Sequence, residues 1–590
     1  MIISQHRILK FTTMNTFKRD NVLCHILLYS CFFLCAGFPV YAIDYDYHFT
    51  TKCLEEPLNP QYSGGIAKNP EINDGLNGWT SFGSSKIETR TSKQGNTFIV
   101  ASYRTQPNHS FSQTIHVEKD TMYTISAWLQ VSHGKADVVA MIRTPNGDIP
   151  TGWVIAKSGC WSMLKGGFNG NFSGPAELYF ESKDISSVEL WADSISIQLF
   201  TLLEWKAHQD QSIEKTRKSK VKLQVVDHQG QPISNATIMI KQTSSSFPIG
   251  NAMSYHILTN TGYQDWYNPR FKLTVFENEM KWWETEPLPN KDDYHLADAM
   301  LQYVQNRSIL LRGHNIVWEN RDMLPQWAKD LPRPLLATAI ERRFNSLVPR
   351  YRDKVIHWDV DNENMHFSYL ESQTGENTVY YYKKAYDMDK GALLFLNEWG
   401  TIENPNDIVA SPAKYLAKIE EFRTLGYNGT LGIGLQGHFD TPTIPYIRSA
   451  LDILATANLP IWITELDVSS RPLQADYLRD ILGELYTHPG VQGIMFWSPW
   501  QPQGCFKMCL TDNDFNNLPT GDVVDDFMRR INHQGLISST NHDGYIETSL
   551  YHGDYEVIIK HSAIKHQSFA HKINVAKGKD SSTLIMKLST

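Results

Sequence analysis

Residues 65 to 200 are built from short segments in which apolar and polar residues alternate. Gly, Asn, Asp and Ser separate these segments, among them NTFIVASYR, MYTISAWLQV, AELYFES and VELWADSISIQLF. A period of two places successive side chains on opposite faces of a strand. Many short strands joined by turn residues are typical of two packed antiparallel sheets. The sequence therefore predicts a β-sandwich over residues 65–200.

A second pattern runs from about residue 245 to residue 530, where apolar strand-like runs alternate with amphipathic helical segments. The runs are FPIGNAM, KLTVFENEMKW, ILLRGHNIVW, VIHWDVDNEN, ALLFLNEW, LGIGLQGHF, PIWITELDV and VQGIMFWSPW. Eight strands that alternate with helices are typical of a (β/α)8 TIM barrel. A doubly wound sheet is the alternative, but no Gly-rich phosphate loop follows the first run and no GxxxxGKS or GxxxxGKT motif occurs. We therefore predict a barrel and place it at residues 223–532.

Two shorter segments flank the predicted barrel. Residues 201–222 are charged and poor in apolar residues, so they are predicted to be a linker. Residues 533–590 are predicted to be a small β-rich segment, in which YIETSLYHGDYEVII forms a hairpin that turns at residues 552–554. The histidines of this segment lack metal-ligand spacing and are expected to be solvated: His561, His566 and His571.

The N-terminus has the pattern of an export signal. Basic residues precede the apolar run VLCHILLYSCFFLCAGFPVYA, which ends at Ala42. This order predicts a signal peptide over residues 1–42, with an uncleaved membrane anchor as the alternative. Met14 as the start would give a more typical signal length than Met1. We expect a secreted protein, extracellular or in a cell wall, with no membrane association after signal cleavage.

Four of the seven cysteines lie beyond the predicted signal. An even number of cysteines in a secreted chain suggests disulfides. The short spacing of Cys505 and Cys509 predicts a local bond, which leaves Cys53 to pair with Cys160. Five Asn-x-Ser/Thr sequons are predicted glycosylation sites in the same compartment: Asn108, Asn171, Asn235, Asn306 and Asn428.

Length and composition narrow the class of protein. The chain has 590 residues, which is too long for one ordinary domain. Its net charge of −8 and its lack of a long basic run argue against a nucleic-acid partner. The aromatic content of 12%, with 16 Trp and 27 Tyr, suits a protein that binds flat, ring-shaped ligands. Nothing in the sequence defines an oligomeric state.

The segment VIHWDVDNENMH, residues 355–366, raises a question because an apolar strand carries polar residues along one face. Unpaired buried charges are costly, so His357, Asp359, Asp361 and Glu363 need a use. Polar residues end most of the predicted strands, and the C-terminal ends of barrel strands hold the active site. The residues at these ends are Glu277, Asn278, Lys281, Arg312, His314, Asn362, Glu363, Asn397, Glu398, Gln436, His438, Glu465 and Asp467.

Two glutamates, Glu363 on strand four and Glu465 on strand seven, are expected across the barrel mouth from each other. One protonated and one ionised carboxyl group suffice to hydrolyse a glycosidic bond. His438 is placed to donate to Glu465 and to be oriented by Asp467, and the Asn362 amide to donate to a sugar hydroxyl. Aromatic rings suited to stacking on sugars follow the strands: Trp318, Trp497 and Trp500.

A metal hydrolase is the rival interpretation of the same histidines and carboxylates. The sequence contains no HExxH and no HxH motif. We therefore expect neither a metal ion nor another cofactor.

Five spaced motifs, WDVDNEN, ITELDV, RGHNIVW, ENEMKW and GIGLQGHF, resemble glycoside hydrolase family 10, the retaining endo-β-1,4-xylanases. The resemblance covers roughly residues 210–532, and GCFKMCLTDNDFNNLPTGDVVDDF resembles its plant branch. It implies that Glu363 is the acid/base and Glu465 the nucleophile, with support from His438 and Asp467. The residues implied to bind the sugar beside the cleavage point are Glu277, Asn278, Lys281, His314, Trp318, Asn362, Gln436 and Trp497.

The sequence departs from the family pattern at positions beside the site. Glu319 stands where many members have His, and Trp399 and Gly400 stand where Tyr and Asn are commoner. The change at Trp399 and Gly400 is expected to reshape one sugar subsite. Neither departure touches the two glutamates.

Residues 65–200 resemble carbohydrate-binding module family 22 through NPEINDGLNGWTSFG and VELWADSISIQLF. This resemblance implies a sandwich that binds xylan through aromatic residues, for which Trp79 and Tyr103 are the candidates. Trp128 lies in the apolar run YTISAWLQV and is expected in the core. A tethered binder would raise the local concentration of substrate.

These observations predict a secreted, retaining endo-1,4-β-xylanase whose partners are xylan or xylo-oligosaccharides. One alternative is a transglycosylase on the same site, in which a second sugar chain intercepts the glycosyl-enzyme. The other is a non-catalytic xylan-binding wall protein. The presence of both Glu363 and Glu465 argues against the non-catalytic alternative.

Overall fold

The computed structural model describes residues 43–182, 188–469, 472–532, 535–562, 569–578 and 583–588. The predicted signal peptide and His566 therefore lie outside the described residues. The chain divides into two compact units, Met1–Tyr45 and Asp46–Thr590, and the elements described below belong to the second. Among the described residues, no helix has the length and apolarity needed to cross a membrane.

The predicted β-sandwich is confirmed as two five-stranded sheets, with strand orders β1-β4-β9-β6-β7 and β2-β3-β10-β5-β8. Alternate residues of each strand face a shared core, for example Ile125, Ala127 and Leu129 of β5. The disulfide between Cys53 and Cys160 forms as predicted. The strands are β1 Thr80–Phe82, β2 Lys86–Thr91, β3 Thr97–Ser102, β4 Ser110–Val117, β5 Thr121–Val131, β6 Lys135–Thr144, β7 Gly147–Lys157, β8 Ser162–Gly170, β9 Gly174–Ser182 and β10 Leu190–Thr201.

The segment predicted as a linker is instead a helix, α1 (Leu202–Thr216), followed by a strand. Thr201 and Glu204 form a reciprocal capping box that satisfies the first backbone donors of α1. Trp205 is buried, and its indole nitrogen donates to Glu484 Oε2 over 2.9 Å. The charged residues of this segment lie on the solvated face of the helix, and only a narrow stripe of the helix is buried. So few apolar residues give the sequence the composition of a linker.

Residues 218–245 and the C-terminal segment together form a third β-rich domain. Its two sheets have the orders β23-β11-β26 and β22-β12-β24-β25. Because β11 and β12 pair with C-terminal strands, the barrel begins near Ile249 and not at residue 223. The strands are β11 Lys218–Val226, β12 Thr237–Ser245, β22 Leu536–Ser539, β23 Tyr545–Tyr551, β24 Gly553–Lys560, β25 Phe569–Val575 and β26 Thr583–Lys587.

The predicted hairpin in the C-terminal segment is wrong. Strand β23 ends at Tyr551 and β24 begins at Gly553, but the two strands belong to different sheets. Each strand has one apolar face, and these faces meet in a common core through Ile546 and Leu550 on one side and Val557 and Ile559 on the other. Burying both faces requires the strands to lie in opposing sheets and not side by side.

The predicted (β/α)8 barrel is confirmed. Its strands are parallel, and β13 pairs with both β14 and β21, which closes the barrel. Strand six is β18, which continues as the short β19. The strands are β13 Ile249–Met253, β14 Leu273–Phe276, β15 Leu310–Trp318, β16 His357–Asn362, β17 Leu393–Glu398, β18 Gly432–Leu435, β19 His438–Phe439, β20 Ile461–Val468 and β21 Val491–Phe496.

Helices follow the barrel strands and cover the outside of the barrel. The predicted local disulfide between Cys505 and Cys509 forms in the loop before the last helix. The helices are α2 Thr261–Tyr267, α3 Trp282–Thr285, α4 His295–Gln305, α5 Arg333–Tyr351, α6 Tyr369–Thr374, α7 Thr378–Met388, α8 Pro412–Thr424, α9 Ile444–Ala455, α10 Gln474–Thr487 and α11 Pro519–Ile531.

Candidate active site

A cleft of about 960 Å³ opens at the C-terminal ends of the barrel strands. This is the face at which barrel enzymes place their active sites, because the loops that follow all eight strands meet there. Most of the residues proposed from the sequence line this one cleft, namely Glu277, Asn278, Lys281, His314, Trp318, Glu363, Gln436, His438, Glu465 and Trp497.

Glu363 follows directly after β16, in a left-handed backbone conformation with φ 58° that turns the chain into the cleft. Its carboxylate accepts hydrogen bonds from Trp318 Nε1 at 2.9 Å and from Gln436 Nε2 at 3.1 Å. Burial raises the pKa of Glu363 to about 7, although both hydrogen bonds favour the ionised form. This glutamate therefore carries a proton over most of the acidic range.

Glu465 lies within β20 and has a different environment. Asn397 Nδ2 donates to its Oε1 over 2.8 Å, and His438 Nε2 lies 3.4 Å from its Oε2. Burial raises the pKa of Glu465, but the contact with His438, the charge of His314 and the hydrogen bond from Asn397 outweigh burial and lower the pKa to about 2. Between about pH 2 and about pH 7, Glu465 is therefore ionised while Glu363 is protonated.

His438 links Glu465 to a second carboxylate. Its Nδ1 lies 2.9 Å from Asp467 Oδ1, and Asp467 is fully buried. Burial lowers the pKa of His438, yet the two carboxylates on its two ring nitrogens outweigh that effect and raise the pKa to about 10. The imidazolium is therefore a fixed positive charge that holds Glu465 in its ionised form.

Asn397 at the end of β17 joins the two glutamate strands. Its Nδ2 donates to Asn362 Oδ1 at 2.9 Å as well as to Glu465, and its own Oδ1 accepts from Thr464. Asn362 is 1% exposed, and its Nδ2 has no hydrogen-bond partner among the described residues. Sequence reasoning placed Asn397 at a strand end but gave it no role; the Asn-Glu pair that ends this strand was the available signal.

Positive charge and aromatic rings line the part of the cleft that follows strand two. Lys281 is buried, and its Nζ lies 3.0 Å from Asn278 Oδ1. The same Nζ lies 5.3 Å from the ring centroids of Trp283 and Trp318 and 5.5 Å from that of Trp497. Burial lowers the pKa of Lys281, and nearby carboxylates including Glu465 oppose that shift. Trp283 was not among the residues proposed from the sequence.

Two further cleft residues, Glu277 and His314, contact residues that do not line the cleft. Glu277 accepts a hydrogen bond from Gln501 Nε2 at 2.6 Å. His314 Nδ1 lies 2.8 Å from Asp359 Oδ2, and Arg312 donates to the other oxygen of Asp359 over 2.7 Å. These contacts fix the orientation of two side chains that line the cleft.

The polar face of strand four has three separate uses. Asp359 anchors His314 and Arg312 inside the barrel. Asp361 instead accepts a hydrogen bond from Thr378, at the first residue of α7, over 2.7 Å. Only Glu363 reaches the cleft. Asp359 and Asp361 therefore form contacts within the barrel domain, and Glu363 serves the site.

The sugar-stacking role predicted for Trp500 is not supported. Trp500 packs against Phe515 and Tyr263 and does not line the cleft, whereas Trp497, which is buried to the same extent, does line it. Its indole nitrogen donates to Asn513. Trp399, by contrast, lines the cleft and stacks on His366 with ring centroids 3.7 Å apart.

In the sandwich, Trp79 is 4% exposed and packs edge-on against Phe111 in the core. It is therefore unavailable to a sugar, which corrects its prediction as a binding residue. Tyr103 is 78% exposed and remains a candidate, and Trp128 is buried as predicted.

The protonated Glu363 and the ionised Glu465, in the mouth of a (β/α)8 barrel, have the organisation of a glycoside hydrolase active site. Among the described residues, no group of three or more His, Cys, Asp and Glu side chains is arranged to hold a metal ion.

Comparisons with known proteins define the family. The profile described as "Glycosyl hydrolase family 10" matches residues 239–515, and the profile described as "Carbohydrate binding domain" matches residues 64–187. The Arabidopsis thaliana protein named "Endo-1,4-beta-xylanase 5-like" is 36% identical over 589 residues, 97% of this chain and 99% of its own. The A. thaliana "Endo-1,4-beta-xylanase 5" is 35% identical over 580 residues, with 96% and 98% covered. The chain therefore belongs to glycosyl hydrolase family 10.

Proposed function

We propose that this retaining glycoside hydrolase is an endo-1,4-β-xylanase, with Glu363 as acid/base and Glu465 as nucleophile. The observation that carries the assignment of roles is the separation of the two pKa values, about 7 for Glu363 and about 2 for Glu465. One carboxyl group thus holds a proton at the pH at which the other is an anion. This is the ionisation state from which double displacement begins.

In the first displacement, Glu465 attacks the anomeric carbon and the glycosidic C–O bond breaks. Glu363 transfers its proton to the departing oxygen, so the leaving sugar departs as a neutral alcohol. The product is a glycosyl ester on Glu465. Asn397 contacts one oxygen of Glu465 and His438 contacts the other, and together they orient the carboxylate.

In the second displacement, Glu363, now ionised, takes a proton from a water molecule that attacks the same carbon. The ester bond breaks and Glu465 returns as a carboxylate. Two inversions at one carbon retain its configuration. The Nδ2 of Asn362, which is buried beside Glu363 and has no partner among the described residues, is the group that we expect to donate to a sugar hydroxyl beside the reacting carbon.

The substrate assignment is supported by the named relatives, which are endo-1,4-β-xylanases aligned over nearly the whole of both chains. It is also supported by the cleft chemistry. Donors such as Lys281 and His314 suit sugar hydroxyls, and Trp497 and Trp318 offer flat faces to sugar rings. Two disulfides fit a protein that acts in the cell wall or outside the cell.

Two alternatives use the same site. In a transglycosylase, a sugar hydroxyl replaces water in the second displacement; in a xylan-binding wall protein, no turnover occurs. A reducing-sugar assay on xylan, with product sizing in the presence and absence of acceptor oligosaccharides, distinguishes the three. A xylanase releases new reducing ends and shorter chains. Chains lengthened at a constant number of reducing ends would indicate transglycosylation, and unchanged xylan would indicate a binding protein.

A further inference from the structure

The sandwich is packed against the barrel through buried polar contacts. Lys165 Nζ in β8 lies 2.6 Å from Asp452 Oδ2 in α9, and both side chains are 1% exposed. Asn169 Nδ2 donates to the carbonyl of Pro442 over 2.9 Å. A Cβ on Gly167 would stand 2.6 Å from Pro445, so only glycine permits this approach. These contacts hold one edge of the sandwich beside the loop that follows strand six.

A second contact joins the sandwich to the loop after strand five. Trp153 Nε1 in β7 donates to the carbonyl of Pro405 over 2.8 Å. The neighbouring loop residues Asn404 and Asn406 line the catalytic cleft together with Pro405. This hydrogen bond links the sandwich directly to that part of the cleft wall.

Four sandwich residues line the same cleft as Glu363 and Glu465. They come from the start of β7 and from the turn between β8 and β9 and are here called the sandwich rim: Asp148, Ile149, Pro150 and Asn171. Asp148 and Asn171 are exposed.

The carboxylate of Asp148 is held in place and ionised. Arg143 donates to both of its oxygens at 2.9 Å, and Tyr179 donates to one of them at 3.0 Å. The hydrogen bonds from Arg143 lower the pKa of Asp148 below its usual value. A fixed carboxylate and an exposed amide beside the apolar Ile149 and Pro150 provide hydrogen-bonding groups and ring contacts of the kind that a sugar uses.

We propose that the sandwich rim is a sugar-binding wall of the catalytic cleft, which contacts xylan residues away from the cleavage point on the side of strands five and six. The proposal rests on the proposed xylanase function. It differs from the expectation of a tethered binder, because the sandwich here extends the catalytic cleft itself. The proposal therefore predicts that the benefit of the rim depends on chain length, because a short substrate bound next to the glutamates has no sugar residue left to contact the rim.

Asn171 is also a predicted glycosylation site, and the proposal requires its amide to be free, so a glycan found on Asn171 by mass spectrometry of the secreted protein would overturn its part in the rim. The kinetic test uses the full chain produced in a host that adds no N-linked glycans. The variant is D148A combined with N171A, and kcat/KM is measured on xylotriose, xylohexaose and longer oligosaccharides. We expect the ratio of kcat/KM on long to short substrates to fall about fivefold, as the loss of hydrogen bonds to one sugar predicts. The matched control is N146A, because Asn146 is an exposed residue of the same hairpin that does not line the cleft.

The proposal is overturned if the double variant has the same ratio of kcat/KM on long to short substrates as the wild type. Asp148 also binds Arg143, so N171A and D148N are measured singly to separate a lost sugar contact from a disturbed hairpin. A loss that is equal on all substrates also overturns it, because it indicates a structural effect.

Failure of the proposed function is detected separately. Affinities of the same oligosaccharides are measured by calorimetry for E465A and for E465A with the rim substitutions. The wild type could fail to hydrolyse xylan while affinity still rises with chain length only when the rim is intact. That result would support the rim proposal and contradict the xylanase function. If affinity is independent of the rim, the rim proposal is overturned whatever the activity.

Discussion

At the scale of single residues, Glu363 and Glu465 show how two side chains of the same type acquire different pKa values. Glu363 is partly buried and Glu465 is buried, and burial alone would raise both pKa values. The imidazolium of His438 beside Glu465, held by Asp467, separates them. The hydrogen-bond donors to Glu363 are neutral, and they lower its pKa less than burial and the nearby carboxylates of Glu398 and Glu465 raise it.

The first prediction distinguishes the two roles with azide. Glu363→Ala removes the proton donor, so cleavage of xylan is expected to slow by about 10²- to 10⁴-fold. An aryl β-xyloside with a very acidic phenol needs little protonation, so this variant is still expected to form the glycosyl-enzyme and to give a burst. Azide needs no base, so it is expected to restore turnover and to yield the β-azide after two inversions. Product configuration is measured by NMR.

The Glu465→Ala variant provides the comparison for the azide experiment. Without the nucleophile, no glycosyl-enzyme forms, and azide attacks the substrate directly to give the α-azide. An α-azide from the Glu363 variant would mean that the two assignments are reversed.

The second prediction concerns pH. The active form has Glu363 protonated and Glu465 ionised, so kcat/KM on soluble xylo-oligosaccharides is expected to fall as pH rises through about 7, where Glu363 loses its proton. Trp318→Phe removes a hydrogen bond that favours the ionised form of Glu363. The pKa of Glu363 is then higher, so the basic limb of the pH profile is expected to move to higher pH.

The control for the pH profile is Trp283→Phe. Trp283 also lines the cleft and lies 6.0 Å from the Trp318 ring, and no hydrogen bond joins it to Glu363 among the described residues. The basic limb of the pH profile of Trp283→Phe is expected to match that of the wild type even if KM changes. A basic limb that stays in place in Trp318→Phe, or moves to lower pH, contradicts the environment described for Glu363.

At the scale of elements, α1 shows that a charged segment is folded because of its ends and one buried stripe. The third prediction is that Thr201→Ala, which removes the capping box, lowers the free energy of unfolding by about 1 kcal/mol. The melting temperature of the protein measures the loss. Gln211→Ala is the matched control, because Gln211 is exposed on the same helix and Ala is a good helix former. Equal melting temperatures for the two variants would contradict a role for the cap.

The elements that the sequence predicted correctly are those whose partners follow a regular order along the chain. Eight apolar runs alternating with helices gave the barrel, because a parallel barrel pairs each strand with the next. Strands β11 and β12 were assigned wrongly because their partners lie about three hundred residues away, as in the pair Ile238 and Ile559. Alternation predicts a strand, but it does not identify the partner.

At the scale of the whole molecule, the sandwich and the barrel share a buried ion pair. The fourth prediction is that Asp452→Ala, which leaves Lys165 and His488 without their carboxylate, lowers the free energy of unfolding by about 3 kcal/mol. Calorimetry measures the loss as a lower melting temperature.

The matched control at the same interface is Lys414→Ala. Lys414 pairs with Asp137 of the sandwich, and their side chains are 36% and 28% exposed. An ion pair this exposed is expected to contribute less than about 1 kcal/mol. If Asp452→Ala costs no more than Lys414→Ala, the buried pair does not hold the two domains together.

The sequence by itself determined the barrel strands, their polar C-terminal ends and the two glutamates at those ends, because these depend on a regular strand order. It also determined both disulfides, because the short spacing of Cys505 and Cys509 leaves Cys53 and Cys160 as the remaining pair. Tertiary structure alone decided the pKa of each glutamate, since Glu363 is bonded by Gln436, 73 residues away, and Glu465 by Asn397, 68 residues away. It also removed Trp79 and Trp500 from the binding surface, because burial depends on what packs over a side chain. It brought Asp148 and Asn171 to the catalytic cleft, which no local pattern indicates, since domain packing is set by contacts such as Lys165 with Asp452, 287 residues apart.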